Sequence, residues 1–231
     1  NHEKPHFIHG VPGSGKTEIY LTLCKHYINQ KKSCIVLVPE IALSSQIFER
    51  FQEFYGHNVF LWHSQTTDSY RKKIIKKLHQ AEPCILIGAR SALFAPLKNL
   101  GLIIVDEEHD SSYKEVEKQP CYNARDLAIV RSKFSNAPVI LGSATPSLET
   151  YYNAYITNKY FKHELKERYG NAKLPKVKII DMCDDSQKIS TQSIISNYLF
   201  QQIQKRIHNN EQVLILHNRR GFSAIRVCQD S

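Results

Sequence analysis

The sequence predicts an α/β fold with a mostly parallel sheet covered by helices on both faces. Three observations predict it. Short apolar runs recur at 7–8, 35–38, 59–62, 84–87, 102–105 and 139–141. The intervals between them carry helical patterns, as crossover connections between parallel strands require. Polar residues follow run after run: the first leads into a glycine-rich loop, and later ones into Pro39-Glu40, Gly88-Ala-Arg90, Asp106-Glu107 and Gly142-Ser143-Ala-Thr145. In open α/β sheets ligands bind beyond the carboxyl ends of the strands, so these five segments are expected to converge on one edge.

The first run, Phe7-Ile8, is followed by Gly10-Val11-Pro12-Gly13-Ser14-Gly15-Lys16-Thr17, which has the form G-x-x-x-x-G-K-[ST]. In that pattern glycines let backbone N–H groups close around phosphates, the lysine reaches the β and γ groups, and the threonine hydroxyl meets magnesium. An amphipathic helix opens directly after it, with Ile19, Tyr20, Leu23, Cys24, Tyr27 and Ile28 on one face. Its N-terminus adds orphan N–H groups and the positive end of a dipole, which favours a triphosphate. A basic cluster, Arg71, Lys72, Lys73, Lys76 and Lys77, falls on a later helix and reads first as a solvated face.

Directly after the run at 102–105, a strand end would hold Asp106 rigidly opposite the loop, as a second magnesium-site carboxylate requires. Glu107 is then the candidate base that aligns an attacking water. The run at 139–141 leads to Ser143 and Thr145, a hydroxyl pair suited either to switching partners as a cleft closes or to capping the next helix. That helix is expected from Leu148 to about Thr157.

The pattern then breaks. Residues 159–178 are dense in lysine and arginine and contain Gly170 and Pro175. A first domain is therefore expected over 1–160, a basic linker over 161–176, and a partial second domain over 177–231. The last holds apolar runs at 177–180 and 213–216, and between them a helix with Ile195, Leu199, Ile203 and Ile207 at four-residue spacing.

Composition bounds the function. With 231 residues, 42% apolar and 23% charged, the chain has the make-up of a soluble globular protein, and no run approaches the eighteen or so apolar residues of a membrane span. No secretory signal opens it, so the cytoplasm is the expected location. Six cysteines without a C-x-x-C pair exclude a disulfide framework and read as reduced thiols. A net charge of +9 favours a polyanionic partner, nucleic acid first.

Further spellings carry a resemblance. Val38-Pro-Glu-Ile-Ala-Leu43, Arg90-Ser-Ala-Leu-Phe94, Asp106-Glu-Glu-His-Asp-Ser-Ser-Tyr-Lys114, Ala124-Arg-Asp126, Gly142-Ser-Ala-Thr-Pro146 and Asn218-Arg-Arg-Gly221 together resemble the PriA (primosomal protein N′) family. These are bacterial replication-restart helicases of the superfamily-two DExH class. The resemblance runs in order through essentially the whole chain. It implies a RecA-like P-loop NTPase lobe followed by the incomplete start of a second RecA-like lobe. The implied activity is that of an ATP-dependent 3′-to-5′ DNA helicase using ATP and Mg2+. The implied partners are forked or single-stranded DNA, primosome proteins and the replicative helicase loader, with no membrane.

Carried onto this sequence, the resemblance makes residues 10–17 the nucleotide loop. Lys16, Asp106, Glu107 and His109 look like the catalytic set, and Thr17 with Asp106 like the magnesium ligands. His109 would link nucleotide state to DNA, and Ser143 with Thr145 would couple hydrolysis to movement between lobes. Pro39, Glu40, Gln46, Arg90 and Ser91 resemble strand-tracking residues that hold phosphates without reading bases. Tyr113 and Tyr122 bracket an aromatic-rich loop, where each suits base stacking or packing, and Arg219 and Arg220 complete the DNA-binding set.

The family also carries a zinc module that opens with C-x-x-C. Here only Cys228 has a place in it, with Ser231 at the second ligand's position, so no complete zinc site is expected. The abrupt start before a strand and the missing later motifs suggest a fragment. It is expected to be deficient in hydrolysis, for want of the arginine that stabilises transferred phosphoryl charge. Two readings compete: another superfamily-two DNA translocase, and a non-catalytic fragment that binds DNA or a partner. A P-loop kinase is disfavoured by the DExH box and the Ser-Ala-Thr strand end.

Overall fold

The computed structural model describes residues 4–39, 46–62, 67–80, 82–171, 175–182 and 195–216. In chain order the strands are β1 (His6–Gly10), β2 (Ser33–Leu37), β3 (Val59–Trp62), β4 (Ile85–Gly88), β5 (Leu100–Val105), β6 (Lys114–Glu115), β7 (Tyr122–Asn123), β8 (Val139–Ser143) and β9 (Phe161–Leu165). The helices are α1 (Lys16–Asn29), α2 (Gln46–Tyr55), α3 (Asp68–His79), α4 (Ala124–Ser135), α5 (Leu148–Tyr151), which continues as a π-helical turn over Tyr152–Ile156, and α6 (Asn197–His208).

Seven strands form one sheet in the order β3-β4-β2-β5-β8-β1-β9, and every pairing in it is parallel. Burial on both faces explains why the strands read as continuous apolar runs. Along β2, Ile35 and Leu37 enter one core cluster with Leu78 of α3 and Ala128 of α4. Cys34 and Val36 enter the other, with Tyr20 and Cys24 of α1 and Phe51 of α2. This period-two split covers the sheet on both sides.

Registers align the functional ends. Leu37 lies opposite Val105, Val105 opposite Leu141, and Ser143 opposite His9. The carboxyl ends of β5, β8 and β1 are therefore neighbours, and they deliver Asp106, Ser143 and the glycine-rich loop to one edge.

The chain divides into two compact units, Asn1–Lys173 and Leu174–Ser231. The basic segment expected as a linker over 161–176 instead begins with a strand: β9 pairs with β1 from His6↔Phe161 to Gly10↔Leu165. As an edge strand it has one partner and an exposed centre, so its residues Phe-Lys-His-Glu-Leu lack the apolar run of the inner strands. In the second unit the expected helix is α6, capped by Ser196 Oγ accepting from the Leu199 amide at 3.1 Å. The runs at 177–180 and 213–216, expected as strands, form none. A strand exists only through pairing, and no partner strand is present among the described residues of this unit. No helix among the described residues is long and apolar enough to cross a membrane.

Candidate active site

A cavity of about 1000 Å³ opens at this edge, lined by Pro12, Gly13, Ser14, Gly15, Lys16, Thr17, Asp106 and Glu107, with Glu18, Arg50 and Glu167 to Tyr169 completing the wall. Gly13 and Gly15 have φ of +75° and +87°, conformations that strain any residue with a Cβ, and the space beside both is open. Both glycines line the cavity without a side chain. Ser14 Oγ is buried without a hydrogen-bond partner, and Lys16 Nζ donates to the Gly10 carbonyl at 2.9 Å. Orphaned donors, open space and a cation at a helix N-terminus fit a phosphate chain.

The acidic side is equally fixed. Asp106 follows β5, and its amide donates to the Leu37 carbonyl at 2.9 Å. Its Oδ1 accepts from the Tyr20 hydroxyl at 2.9 Å, and its carbonyl accepts from the Tyr113 hydroxyl at 2.6 Å. Burial pushes the Asp106 carboxyl above its ordinary pKa, against the opposing pull of the Tyr20 hydrogen bond. A hard divalent cation would relieve that burden, so Thr17 and Asp106 in one cavity fit magnesium. Glu107 has φ +46°, left-handed for a non-glycine residue. Its carboxylate lies 3.9 Å from Lys16 Nζ and 3.6 Å from His109 Nδ1.

His109 extends the chain of contacts. Its Nδ1 is 2.8 Å from Ser143 Oγ and its Nε2 is 3.4 Å from Thr145 Oγ1, while Ser143 Oγ accepts from the Thr145 amide at 3.0 Å. The structure thus brings Lys16, Glu107, His109, Ser143 and Thr145 into one continuous line from the loop to the end of β8.

Comparison with known proteins reads the same way. A family model described as DEAD/DEAH box helicase matches residues 2–154. The chain belongs to the DEAD/DEAH box helicase family. It is 46% identical to the replication restart protein PriA of Rickettsia felis over 98% of its own length and 34% of that protein. It is 40% identical to PriA of Bacillus subtilis over 98% of its length and 28% of that protein. The chain therefore spans about a third of the length of the curated relatives it matches. Among solved structures, RecG bound to a three-way DNA junction superposes with a TM-score of 0.53 at 22% identity, over 73% of this chain and 22% of that one. That likeness concerns the fold.

Within this DEAD/DEAH helicase chain, the residues expected to meet DNA are placed less uniformly. Arg90 donates to the carbonyls of Lys114 at 2.9 Å and Ser112 at 3.2 Å, and its second nitrogen lies 3.0 Å from Glu115 Oε2. It anchors the β6–β7 hairpin. Tyr113 is 1% exposed, with its hydroxyl committed to the Asp106 carbonyl; packed there, its ring is not available for base stacking. Tyr122 is half-buried and meets the exposed Phe94 edge-on at 5.4 Å. Ser91 is half-buried, in the short 3-10 turn Arg90–Phe94. Pro39 is buried after β2, and Gln46 opens α2. Glu40, Arg219, Arg220 and Cys228 lie outside the described residues.

Sequence reasoning missed several members of the site. Glu108, between the candidate base and His109, is buried and accepts from the Ser147 amide at 2.8 Å, the Ser147 hydroxyl at 3.0 Å and the Thr150 hydroxyl at 2.8 Å. Arg125 Nη1 lies 3.3 Å away and also donates to Ser147 Oγ at 2.6 Å. This network ties the acidic segment to the N-termini of α4 and α5. The spelling Ala124-Arg-Asp126 marked the place but not the role. Tyr20 was read only as an apolar helix position, and Arg168 only as part of a basic stretch.

Proposed function

We propose that this chain is the nucleotide-binding motor portion of an ATP-dependent 3′-to-5′ DNA helicase of replication restart. It acts in the cytoplasm on forked or single-stranded DNA, with primosome proteins and a replicative helicase loader as partners. The single observation that carries the reading is the cavity shared by the glycine-rich loop and the acidic segment, with Lys16 Nζ and Glu107 Oε1 3.9 Å apart. The similarity to PriA over 98% of the chain supports the replication-restart part of the reading.

In this reading the amides of residues 13–17 and the Lys16 ammonium hold the triphosphate, with Lys16 exchanging the Gly10 carbonyl for phosphate oxygen. Thr17 and Asp106 hold magnesium, which when bound neutralises charge on the phosphate oxygens. Glu107 accepts a hydrogen bond from the attacking water and orients it. His109 senses the state of Glu107 and passes it to Ser143 and Thr145 at the end of β8. A two-position contact of this kind is what a coupling element needs.

The test is binding of a fluorescent ATP analogue to the chain, with Lys16→Ala as control, followed by turnover of the full-length protein with and without single-stranded DNA. Saturable binding that is lost in the Lys16 variant, with DNA-stimulated hydrolysis that Glu107→Gln abolishes, is the expected outcome. Nucleotide affinity independent of Lys16 would refute the reading.

A further inference from the structure

We infer that Arg168 is a phosphate-binding residue of the nucleotide cleft, supplied by the strap that follows the last strand of the sheet. The inference rests on the nucleotide reading of that cleft and adds a ligand-contacting group that neither the loop motif nor the acidic motif contains.

The strap is built onto the glycine-rich loop by two backbone hydrogen bonds. The Val11 amide donates to the Leu165 carbonyl at 3.1 Å, and the Tyr169 amide donates to the Gly13 carbonyl at 2.9 Å. Both ends of residues 165–169 are thereby fixed to the loop, and Arg168 is held in the wall of the same cavity as Lys16, Thr17 and Glu107. At Gly170 the chain takes φ +72°.

The charge pattern of the cavity singles out this residue. Arg50 also lines it, but its guanidinium is committed to Glu18 at 2.9 Å and to Glu53 at 3.5 Å. Lys16 is shared between the Gly10 carbonyl and Glu107. Arg168 Nε is buried and has no hydrogen-bond partner among the described residues. A buried guanidinium donor left unpaired costs free energy that an anionic ligand recovers. Guanidinium groups bind phosphate oxygens through charge-assisted, often bidentate hydrogen bonds, and a triphosphate in this cavity is an anion of the right kind. The fixed strap makes the contact pre-organised, so little ordering of Arg168 opposes binding.

The experiment compares the full chain with Arg168→Ala, Arg168→Gln, Arg168→Lys and Lys16→Ala. Each is titrated by competition against a fluorescent nucleotide with magnesium AMPPNP, magnesium GMPPNP and magnesium tripolyphosphate. Loss of one charge-assisted contact is expected to weaken AMPPNP and tripolyphosphate alike by about tenfold in the Ala and Gln variants, with partial recovery in Lys. The ratio of adenine to guanine affinity is expected to stay constant. The melting temperature without nucleotide is expected to be little changed, because no hydrogen bond or ion pair among the described residues is lost. Unchanged affinities in the Ala and Gln variants, with binding still abolished in Lys16→Ala, would overturn the assignment and leave the cleft standing. A loss confined to adenine nucleotides, with tripolyphosphate unaffected, would also overturn it by placing Arg168 on the base. If Lys16→Ala bound as well as the parent chain, the reading of the cleft itself would fail.

Discussion

The Tyr20 hydroxyl donates to Asp106 Oδ1 at 2.9 Å, and a Cβ placed on Gly142 would collide with that hydroxyl. A helix, a strand end and a missing side chain thus set one carboxylate. Tyr20→Phe leaves the buried Asp106 short of a donor and is expected to lower stability by about 1–3 kcal/mol. Gly142→Ala is expected to be destabilising in the parent and less so beside Tyr20→Phe. The coupling read from a denaturation double-mutant cycle should then exceed about 0.5 kcal/mol. Additive effects would show that the two residues do not share the space.

Asp106 itself illustrates a cost of function. Burial holds its carboxyl above the ordinary range. For a carboxyl whose folded pKa exceeds its unfolded value, the linked stability is fully present below the unfolded pKa and is lost as pH rises through the folded one. At neutral pH the ionised group therefore destabilises the nucleotide-free chain. Asp106→Asn is expected to raise the melting temperature of the chain at pH 7, with the difference from the parent shrinking as pH falls, and in the full-length protein to abolish turnover. A lower melting temperature at pH 7 would contradict this.

At the scale of elements, the Glu108 carboxylate joins the acidic segment to α4 and α5 through Arg125, Ser147 and Thr150. Glu108→Ala leaves Arg125 buried without this partner, and breaking a buried ion pair costs about 3–5 kcal/mol, measurable by chemical denaturation. Strand β9 is tied down by Glu164, whose carboxyl is held at about 2, by the Tyr155 hydroxyl first and Lys166 next. A depressed carboxyl stabilises above its unfolded pKa and ceases to as pH falls through the folded one. Glu164→Gln should therefore lower the melting temperature slightly at pH 7 and match the parent near pH 2. The inner strands were legible because burial on both faces writes them as apolar runs. β9 was not, because its centre faces solvent and carries Lys162 and Glu164, which pair with each other, Glu164 also with Lys166, rather than extending an apolar run. The loop and acidic motifs were likewise legible, since local spacing defines them. Tyr20, Arg125 and Arg168 acquire their roles only when distant segments meet.

For the whole molecule, the seven-stranded sheet and the cleft lie within the unit Asn1–Lys173. A chain of residues 1–173 is expected to keep the cooperative thermal transition and the nucleotide affinity of residues 1–231. One of residues 1–159 is expected to lose both, since removing β9 bares the edge of β1 and takes away Arg168. The proposed function depends on the loop and the acidic segment holding one metal-bridged triphosphate between them. Calorimetric titration of AMPPNP, with and without magnesium, into the parent chain, Lys16→Ala and Asp106→Asn tests that most directly. The expected result is a single site in the parent that weakens at least about tenfold when magnesium is withheld, no measurable binding in Lys16→Ala, and no magnesium dependence in Asp106→Asn. Equal affinity in all three chains, or a magnesium dependence that survives in Asp106→Asn, would contradict it.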